Sequence, residues 1–495
     1  MNLIYSMKLA KSMGVIFMSK IYLPNGMEAV EARYNDMKID EYNNNPFIQA
    51  LPPLKDKETI IRSLILNQPF SVMERTLDSP TRLHLLNRVY NVFQALPIHV
   101  KIWEMVNLLI MQGYVARNAF DKDYKRFINE SGSKFNNKIY ELNSKTSFNT
   151  TASCGLIAGF SGMGKTSTIN RCLNYIPEVI CHNYYNDTHF NQLQLTWLRL
   201  EAPTSLKSLV IQFFLKTDEI LGTNNFKRYM SKNLSTDALL SLMGIVANNV
   251  GLGLLIIDEF QNLNRNGVSQ IMNFLTSLIN SFGVPILFSG TPACYDIFSN
   301  ELRIARRVSN GNIIFNNMKN DQEFRLLLNS IWRYQWVRKP VALTENMTNL
   351  FYDATQGIID LVVKLFVNSM RRAIESGKEE ITEDIVIRVA KEEFRFVENM
   401  LSAIKSENIY KIHQYEDIRR IDKTDNINKK REKIIKRKPA VDDKSEEKKI
   451  EKIIKIDDLK DDDLRKLASN GIEKNKSLYE ILKENGYIDT MDSWI

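Results

Sequence analysis

Short apolar runs bounded by glycine or polar residues recur through the middle of the chain: Gly155-Leu156-Ile157-Ala158, Leu195-Thr196-Trp197-Leu198-Arg199-Leu200, Leu254-Leu255-Ile256-Ile257 and Val284-Pro285-Ile286-Leu287-Phe288. Runs of this length, apolar without alternation, predict strands buried on both faces. Between them, Thr168 to Leu173 and Leu206 to Leu221 carry apolar residues at helical spacing. Strands alternating with helices predict an α/β fold with a parallel sheet wrapped by helices. Upstream, Ile60 to Met111 reads as several helices punctuated by Pro69, Pro80 and Pro97. Downstream, Thr344 to Ile404 is helical throughout. Gly357 to Glu375 is amphipathic, Gly377 ends it, and Thr382 with Glu383 and Asp384 opens the next helix, which together predict a small helical lid.

Both ends of the chain break this periodicity. Asn44 to Leu54 alternates prolines with apolar anchors, the pattern of an extended arm that docks on its own domain or on a neighbouring protomer. Beyond Glu416 the composition turns to Lys, Ile, Asp and Glu mixtures, which predict a flexible linker and a partly disordered tail. The tail keeps anchors at Leu459, Leu464, Leu467, Leu478, Ile481, Leu482, Trp494 and Ile495, enough to fold on a partner and too few for a core. The expected divisions are an arm over 1–54, an α/β domain with preceding helices over 55–335, the lid over 336–418, a basic linker over 419–455 and a partner-binding segment over 456–495.

The formal charge is +8, and the stretch from Arg419 to Lys455 carries nearly all of it, with 15 Lys and Arg against 8 Asp and Glu. Such a segment is a solvated linker or a nucleic-acid contact. Four scattered cysteines, Cys154, Cys172, Cys181 and Cys294, form neither a zinc spacing nor a disulfide framework, and point to a reducing cytosol. No apolar run reaches membrane-spanning length, and Met7, Met13 and Met18 leave room for a later start.

The candidate chemistry gathers where the first strand ends. Gly159-Phe160-Ser161-Gly162-Met163-Gly164-Lys165-Thr166 has a glycine, four residues, then Gly-Lys-Thr. Strand, loop and helix in this order form a phosphate cradle, expected to involve Gly159, Ser161, Gly162, Met163, Gly164, Lys165, Thr166 and Ser167. The glycines let backbone N–H groups turn toward a polyphosphate, Lys165 reaches the terminal phosphates, and the Thr166 hydroxyl is placed to bind Mg²⁺. Asp258 and Glu259 close the next central strand: Asp258 is expected in the Mg²⁺ shell and Glu259 as the base that orients water, a role worth about 10² to 10⁴ in rate. Ser289-Gly290-Thr291 ends a third strand, where Thr291 is the preferred sensor of a γ-phosphate.

Other residues are candidates by position. Gly113 to Asn118 precedes the phosphate loop, where in many ATPases a segment packs on the adenine, so by that resemblance Tyr114, Val115 and Arg117 are expected against an adenine. Three arginines crowd Glu301 to Arg307. They form a solvated helix end, or place Arg306 and Arg307 on a neighbouring subunit's γ-phosphate, a contact worth roughly 10³ to 10⁵ in rate. Asn225 to Lys232 mixes cations with aromatics, which tracks a phosphate backbone or covers a solvated helix face. Lys227, Arg228 and Lys232, with Arg265 in the polar rim segment Gln261 to Val268, are the candidate DNA contacts.

The order of phosphate loop, Asp-Glu strand, Ser/Thr-ended strand, arginine cluster and helical lid resembles the AAA+ P-loop ATPases. Asn45 to Leu54, Gly113 to Asn118, Gly290-Thr291-Pro292, Leu302 to Arg307 and Gly357 to Phe366 resemble a narrower family, TnsC, the target-choosing ATPases of heteromeric cut-and-paste transposons, and more distantly TniB. The resemblance spans about residues 30 to 405, and Asp461 to Arg465 with Tyr479 to Asp489 is similar to the tail by which that family holds its transposase. It implies an ATP- and Mg²⁺-dependent ATPase of the bacterial cytoplasm. Such a protein assembles as a ring or helical filament on duplex DNA and passes a signal from a TnsD/TniQ-like selector to transposase subunits, with no membrane involved. One position departs from the AAA+ pattern. Where a lid arginine often senses the γ-phosphate this chain has Asp360, with Lys364 one turn on, so no residue is assigned as a second sensor.

Rival readings share parts of this pattern. A GTPase needs an Asn-Lys-x-Asp element after the Asp strand, and Leu215-Lys216-Thr217-Asp218 lies before it and lacks the Asn. A small-molecule kinase needs neither Glu259 nor an outward arginine cluster. A replication initiator or helicase loader commonly appends a folded DNA-reading domain where a charged linker stands here. A nucleotide-dependent protein-binding scaffold does not need the Asp258-Glu259 pair.

Overall fold

The computed structural model describes residues 20–137, 150–203, 205–229, 234–263, 268–300 and 311–406, with 409–412, 415 and 418. The linker and tail readings, and Lys232, Arg265, Arg306 and Arg307, lie outside them.

The strands in chain order are β1 (Lys20–Tyr22), β2 (Glu28–Glu31), β3 (Cys154–Gly159), β4 (Val179–Tyr185), β5 (Thr188–Leu195), β6 (Leu198–Glu201), β7 (Leu255–Asp258), β8 (Ile286–Gly290) and β9 (Asn312–Phe315). Five of them form one sheet in the order β6-β7-β8-β3-β9, with every neighbour parallel. All residues of β3, β7 and β8 are buried, as uninterrupted apolar runs require. Successive side chains leave opposite faces. Ile157, Ile256 and Leu287 join the core of helices Pro97–Val115 and Lys165–Leu173. Leu156, Leu255, Ile257, Ile286 and Phe288 join the core of helices Leu206–Leu221, Thr236–Asn249 and Val268–Phe282.

A second sheet, β1-β2-β4-β5, flanks the first. The residues read as one strand, Leu195 to Leu200, belong to both sheets. Leu195 ends β5, paired antiparallel with β4, and Leu198 starts β6, paired parallel with β7. The chain changes sheet at Thr196 and Trp197, held by Thr196 N–H to the Glu178 carbonyl at 2.9 Å and Trp197 Nε1 to the Ile176 carbonyl at 3.2 Å.

The N-terminal arm docks on its own chain, and part of it is helical. Asn45 caps the short helix Pro46–Gln49 by accepting from Phe47 N–H, and its Nδ2 donates to the Tyr114 carbonyl at 2.8 Å. Phe47, Ile48, Ala50 and Leu51 are buried there.

Helices Glu345–Thr355, Ile359–Glu375, Glu383–Glu393 and Glu398–Lys405 form the C-terminal helical part. Gly377 takes φ +69 after the second, and Thr382 caps the third through Ile385 N–H. One buried ion pair ties this part to the upstream helices: Arg82, with no exposed side-chain surface, donates to both Glu379 carboxylate oxygens at 2.6 and 2.7 Å and to the Trp336 carbonyl at 2.9 Å.

Candidate nucleotide-binding site

Parallel register brings the chemistry to one edge of the main sheet. Ala158 lies opposite Gly290, Ile257 opposite Phe288, and Glu201 opposite Asp258. The phosphate loop, Asp258-Glu259 and Thr291 therefore all leave the carboxyl ends of adjacent strands, the usual ligand edge of an open α/β sheet.

Gly162 and Gly164 hold φ of +78 and +84, the left-handed region that favours glycine. Gly164 starts helix Lys165–Leu173, whose first N–H groups face the loop. Gly159 is glycine for a packing reason, because a Cβ there would stand 2.2 Å from the Phe315 carbonyl oxygen of β9. Within the cradle Ser161 and Ser167 are exposed and Met163 is buried. Lys165 is buried and donates from Nζ to the Gly159 and Phe160 carbonyls at 2.9 and 3.0 Å.

The Thr166 hydroxyl donates to Asp258 Oδ2 at 3.0 Å. Asp258 is 2% exposed. Its Oδ2 also accepts from Arg199 of β6, and its Oδ1 accepts from Glu259 N–H at 3.0 Å. Arg199 reaches on to Asn170 Oδ1 at 2.6 Å, joining β6, β7 and the phosphate-loop helix. Glu259 leaves the strand with φ +53 and is exposed, and the Gln261 amide donates to its carboxylate at 2.5 Å. Gln261 Oε1 accepts from Thr291 N–H at 2.9 Å. Cys294, at the start of helix Cys294–Asn300, is buried beside this cluster, and burial pushes its thiol up to about 12.

These residues fit a magnesium nucleotide. The Ser289 and Thr291 hydroxyl oxygens are buried without a hydrogen-bond partner at the strand end, and buried polar atoms of this kind call for a ligand or water. Thr166 and Asp258 offer one hydroxyl and one carboxylate side by side, the sparse oxygen set that suits Mg²⁺ when phosphates and water complete its shell. Among the described residues no cluster of three or more His, Cys, Asp or Glu offers an all-protein metal cage.

Tyr114, Val115 and Arg117 are not brought to this edge. Helix Pro97–Val115 runs from the phosphate-loop edge, where His99 meets Phe315, down to the opposite edge of the sheet. There the Tyr114 hydroxyl donates to the Gly251 carbonyl at 2.6 Å and Arg117 Nη1 to the Leu252 carbonyl at 2.6 Å, both ahead of β7. Burial raises the Tyr114 pKa and lowers that of Arg117. Helical periodicity marks a buried helix and not which of its ends meets the phosphate edge, so the adenine expectation is corrected to a packing role.

The C-terminal helical part reaches the loop through its backbone. Asp360 N–H donates to the Gly162 carbonyl at 2.9 Å, and the Asp360 carboxylate pairs with Lys364 at 2.7 Å. Lys227 and Arg228 are exposed on helix Asn225–Tyr229. Arg199 and Gln261 were not singled out from the sequence, although a charge inside an apolar strand and an amide two residues past an acid are signals of a kind.

Residues 148–298 match the AAA domain family. No curated protein matches the sequence. Among solved structures, Cdc6p from Pyrobaculum aerophilum is 13% identical over 62% of this chain and 85% of its own, with a TM-score of 0.35. The Aeropyrum pernix ORC1 protein in complex with DNA is 12% identical over 64% and 79%, also at 0.35. The Thermotoga maritima RuvB Holliday junction branch migration motor is 13% identical over 75% and 90%, at 0.28. Among the described residues no helix is long and apolar enough to cross a membrane. A phosphate loop on an inner strand of a parallel sheet wrapped by helices, with a helical C-terminal part, gives this chain the AAA+ P-loop ATPase fold.

Proposed function

We propose that the chain hydrolyses ATP to ADP and phosphate, and that nucleotide gates its assembly on duplex DNA to regulate the choice of transposition target. The observation that carries the ATPase reading is the convergence of Lys165, Thr166, Asp258, Glu259 and Thr291 on one sheet edge. The loop N–H groups from Ser161 to Ser167 bind the phosphates, with Lys165 moving from its two loop carbonyls onto the β- and γ-phosphates. Thr166 and Asp258 would hold Mg²⁺, which when bound neutralises charge on the phosphate oxygens. Glu259 orients a water and takes its proton as the water oxygen bonds to the γ-phosphorus and the bond to the β-phosphate oxygen breaks. Thr291 donates its hydroxyl to the γ-phosphate, and Arg306 and Arg307 reach the site of a neighbouring copy.

The transposition reading rests on the sequence resemblance to the TnsC family. In it, Lys227, Arg228, Lys232 and Arg265 contact duplex phosphates, the tail over 456–495 holds transposase subunits, and a TnsD/TniQ-like selector supplies the target signal. The test is steady-state hydrolysis by the full chain with Lys165→Ala and Glu259→Gln. The reading expects Lys165→Ala to lose nucleotide binding and Glu259→Gln to keep binding while losing about 10² to 10⁴ in kcat. Wild-type protein that binds no ATP overturns it.

A further inference from the structure

Gln261 sits between the candidate base and the candidate sensor strand, and the chemistry of its neighbours fixes which way its amide points. A Glu259 carboxylate only accepts, so the group 2.5 Å from its Oε2 is the Gln261 NH₂. Thr291 N–H only donates, so the group 2.9 Å from it is the Gln261 carbonyl oxygen. The Cys294 thiol lies 3.8 Å from the same oxygen. One side chain thus joins the end of β7 to the end of β8, with both halves of its amide used.

The surroundings hold it there. Phe260, fully buried against Phe288 and Phe298 at centroid distances of 4.7 and 5.5 Å, anchors the 3₁₀ turn Phe260–Asn262 that carries Gln261. Gly290 lies beneath the amide. A Cβ at 290 would stand 2.5 Å from Gln261 Oε1 and 2.3 Å from Cys294 Sγ, so the amide occupies space that only glycine leaves open. Glu259 itself is held at φ +53, an uncommon conformation for a residue other than glycine, and such conformations persist where the surroundings over-determine them.

We infer that Gln261 is a positioning residue for hydrolysis: it aims the Glu259 carboxylate and registers it against Thr291, so that base and sensor move as one. This rests on the ATPase reading above. It adds a coupling that Glu259 alone does not have, because a shift at the end of β8 pulls the base through the amide.

The experiment compares full-length wild type with Gln261→Leu, Gln261→Glu, Glu259→Gln and the Glu259→Gln/Gln261→Leu double variant. Readouts are kcat, KM, affinity for a fluorescent ATP analogue and melting temperature. Gln261→Leu is expected to lower kcat by about 10²-fold, the scale of a small misplacement of a catalytic group, with analogue affinity within about twofold of wild type. Added to Glu259→Gln it costs nothing more, since residues acting as a unit are non-additive. Gln261→Glu keeps an acceptor for Thr291 N–H but sets a second carboxylate against Glu259 where the amide had donated, so it is expected to lower kcat on the same scale with analogue affinity unchanged, and it keeps the test decisive if Gln261→Leu proves unstable. The split between kcat and affinity, together with non-additivity with Glu259→Gln, is what a merely structural role would not produce. Wild-type kcat in the Gln261 variants, or losses that multiply in the double variant, overturn the inference. Absence of hydrolysis in the wild type, or an unaffected Glu259→Gln, overturns the ATPase reading instead and takes the inference with it.

Discussion

The Thr166 hydroxyl and the Asp258 carboxylate, 92 residues apart in sequence, meet at 3.0 Å, and the same Asp258 oxygen accepts from Arg199. This contact joins the start of the phosphate-loop helix to the end of β7, two strands over from β3. Arg199 supplies the positive charge that a buried carboxylate needs.

Removing that charge gives the first prediction. Arg199→Ala leaves Asp258 buried with only neutral partners, which costs about 1.5–3 kcal/mol by the scale of hydrogen bonds to charged groups. Added Mg²⁺ restores a cation at the carboxylate, so it raises the melting temperature of Arg199→Ala more than that of wild type. Thermal unfolding with Mg²⁺ and with EDTA reads both effects. An equal Mg²⁺ response in the two proteins contradicts the assignment.

Arg82 and Glu379 give the second. Removing one partner of a buried pair costs up to about 3–5 kcal/mol, and Glu379 keeps some solvent contact and Arg338 at 4.0 Å, so Arg82→Ala is expected to melt below wild type by the lower end of that range. Arg82 donates to Glu379 and holds its carboxyl below the usual range. A depressed carboxyl contributes stability that is present above its unfolded pKa and lost as pH falls through its folded one. Glu379→Gln should therefore lose stability at neutral pH and flatten part of the acid limb in a melting-temperature titration.

Two buried histidines titrate in a different window. Burial lowers His99 and His182 to about 4. Unfolded histidine titrates near 6.5, so between these values the unfolded chain binds more protons and stability rises with pH. Their contribution is complete above about 6.5 and is lost as pH falls toward 4. His182 sits between the Tyr34 hydroxyl and the Gln194 amide, each at 2.8 Å. His182→Gln should remove its share of the slope between those pH values in a melting-temperature series.

Much of this was readable from the chain. Gly155 to Ala158, Leu254 to Asp258 and Ile286 to Gly290 announced themselves as apolar runs ending in chemistry, because a buried parallel strand can place polar groups only at its ends. Leu195 to Leu200 misled because an apolar run looks the same whether it serves one sheet or two. Tyr114 and Arg117 misled because the direction of a helix across the sheet is a tertiary fact. Arg199 and Gln261 escaped because their partners, Asp258 and Thr291, come from neighbouring strands whose pairing no local pattern displays.

Contact with DNA is the next prediction. Phosphate contacts make affinity fall with salt at a slope of about 0.9 per contact. Alanine at Lys227, Arg228, Lys232 and Arg265 together should weaken duplex binding evenly across sequences and reduce that slope. Fluorescence anisotropy over a salt series measures it. An unchanged affinity and slope removes these four residues from the interface.

The central claim is that nucleotide gates assembly on DNA. Its most direct test is duplex binding and particle size of the full chain without nucleotide, with ADP, and with a non-hydrolysable ATP analogue. The account predicts that DNA binding and large assemblies arise together with the ATP analogue alone, and that Glu259→Gln holds that state with ATP. A protein that stays monomeric and ignores duplex DNA in all three conditions contradicts it.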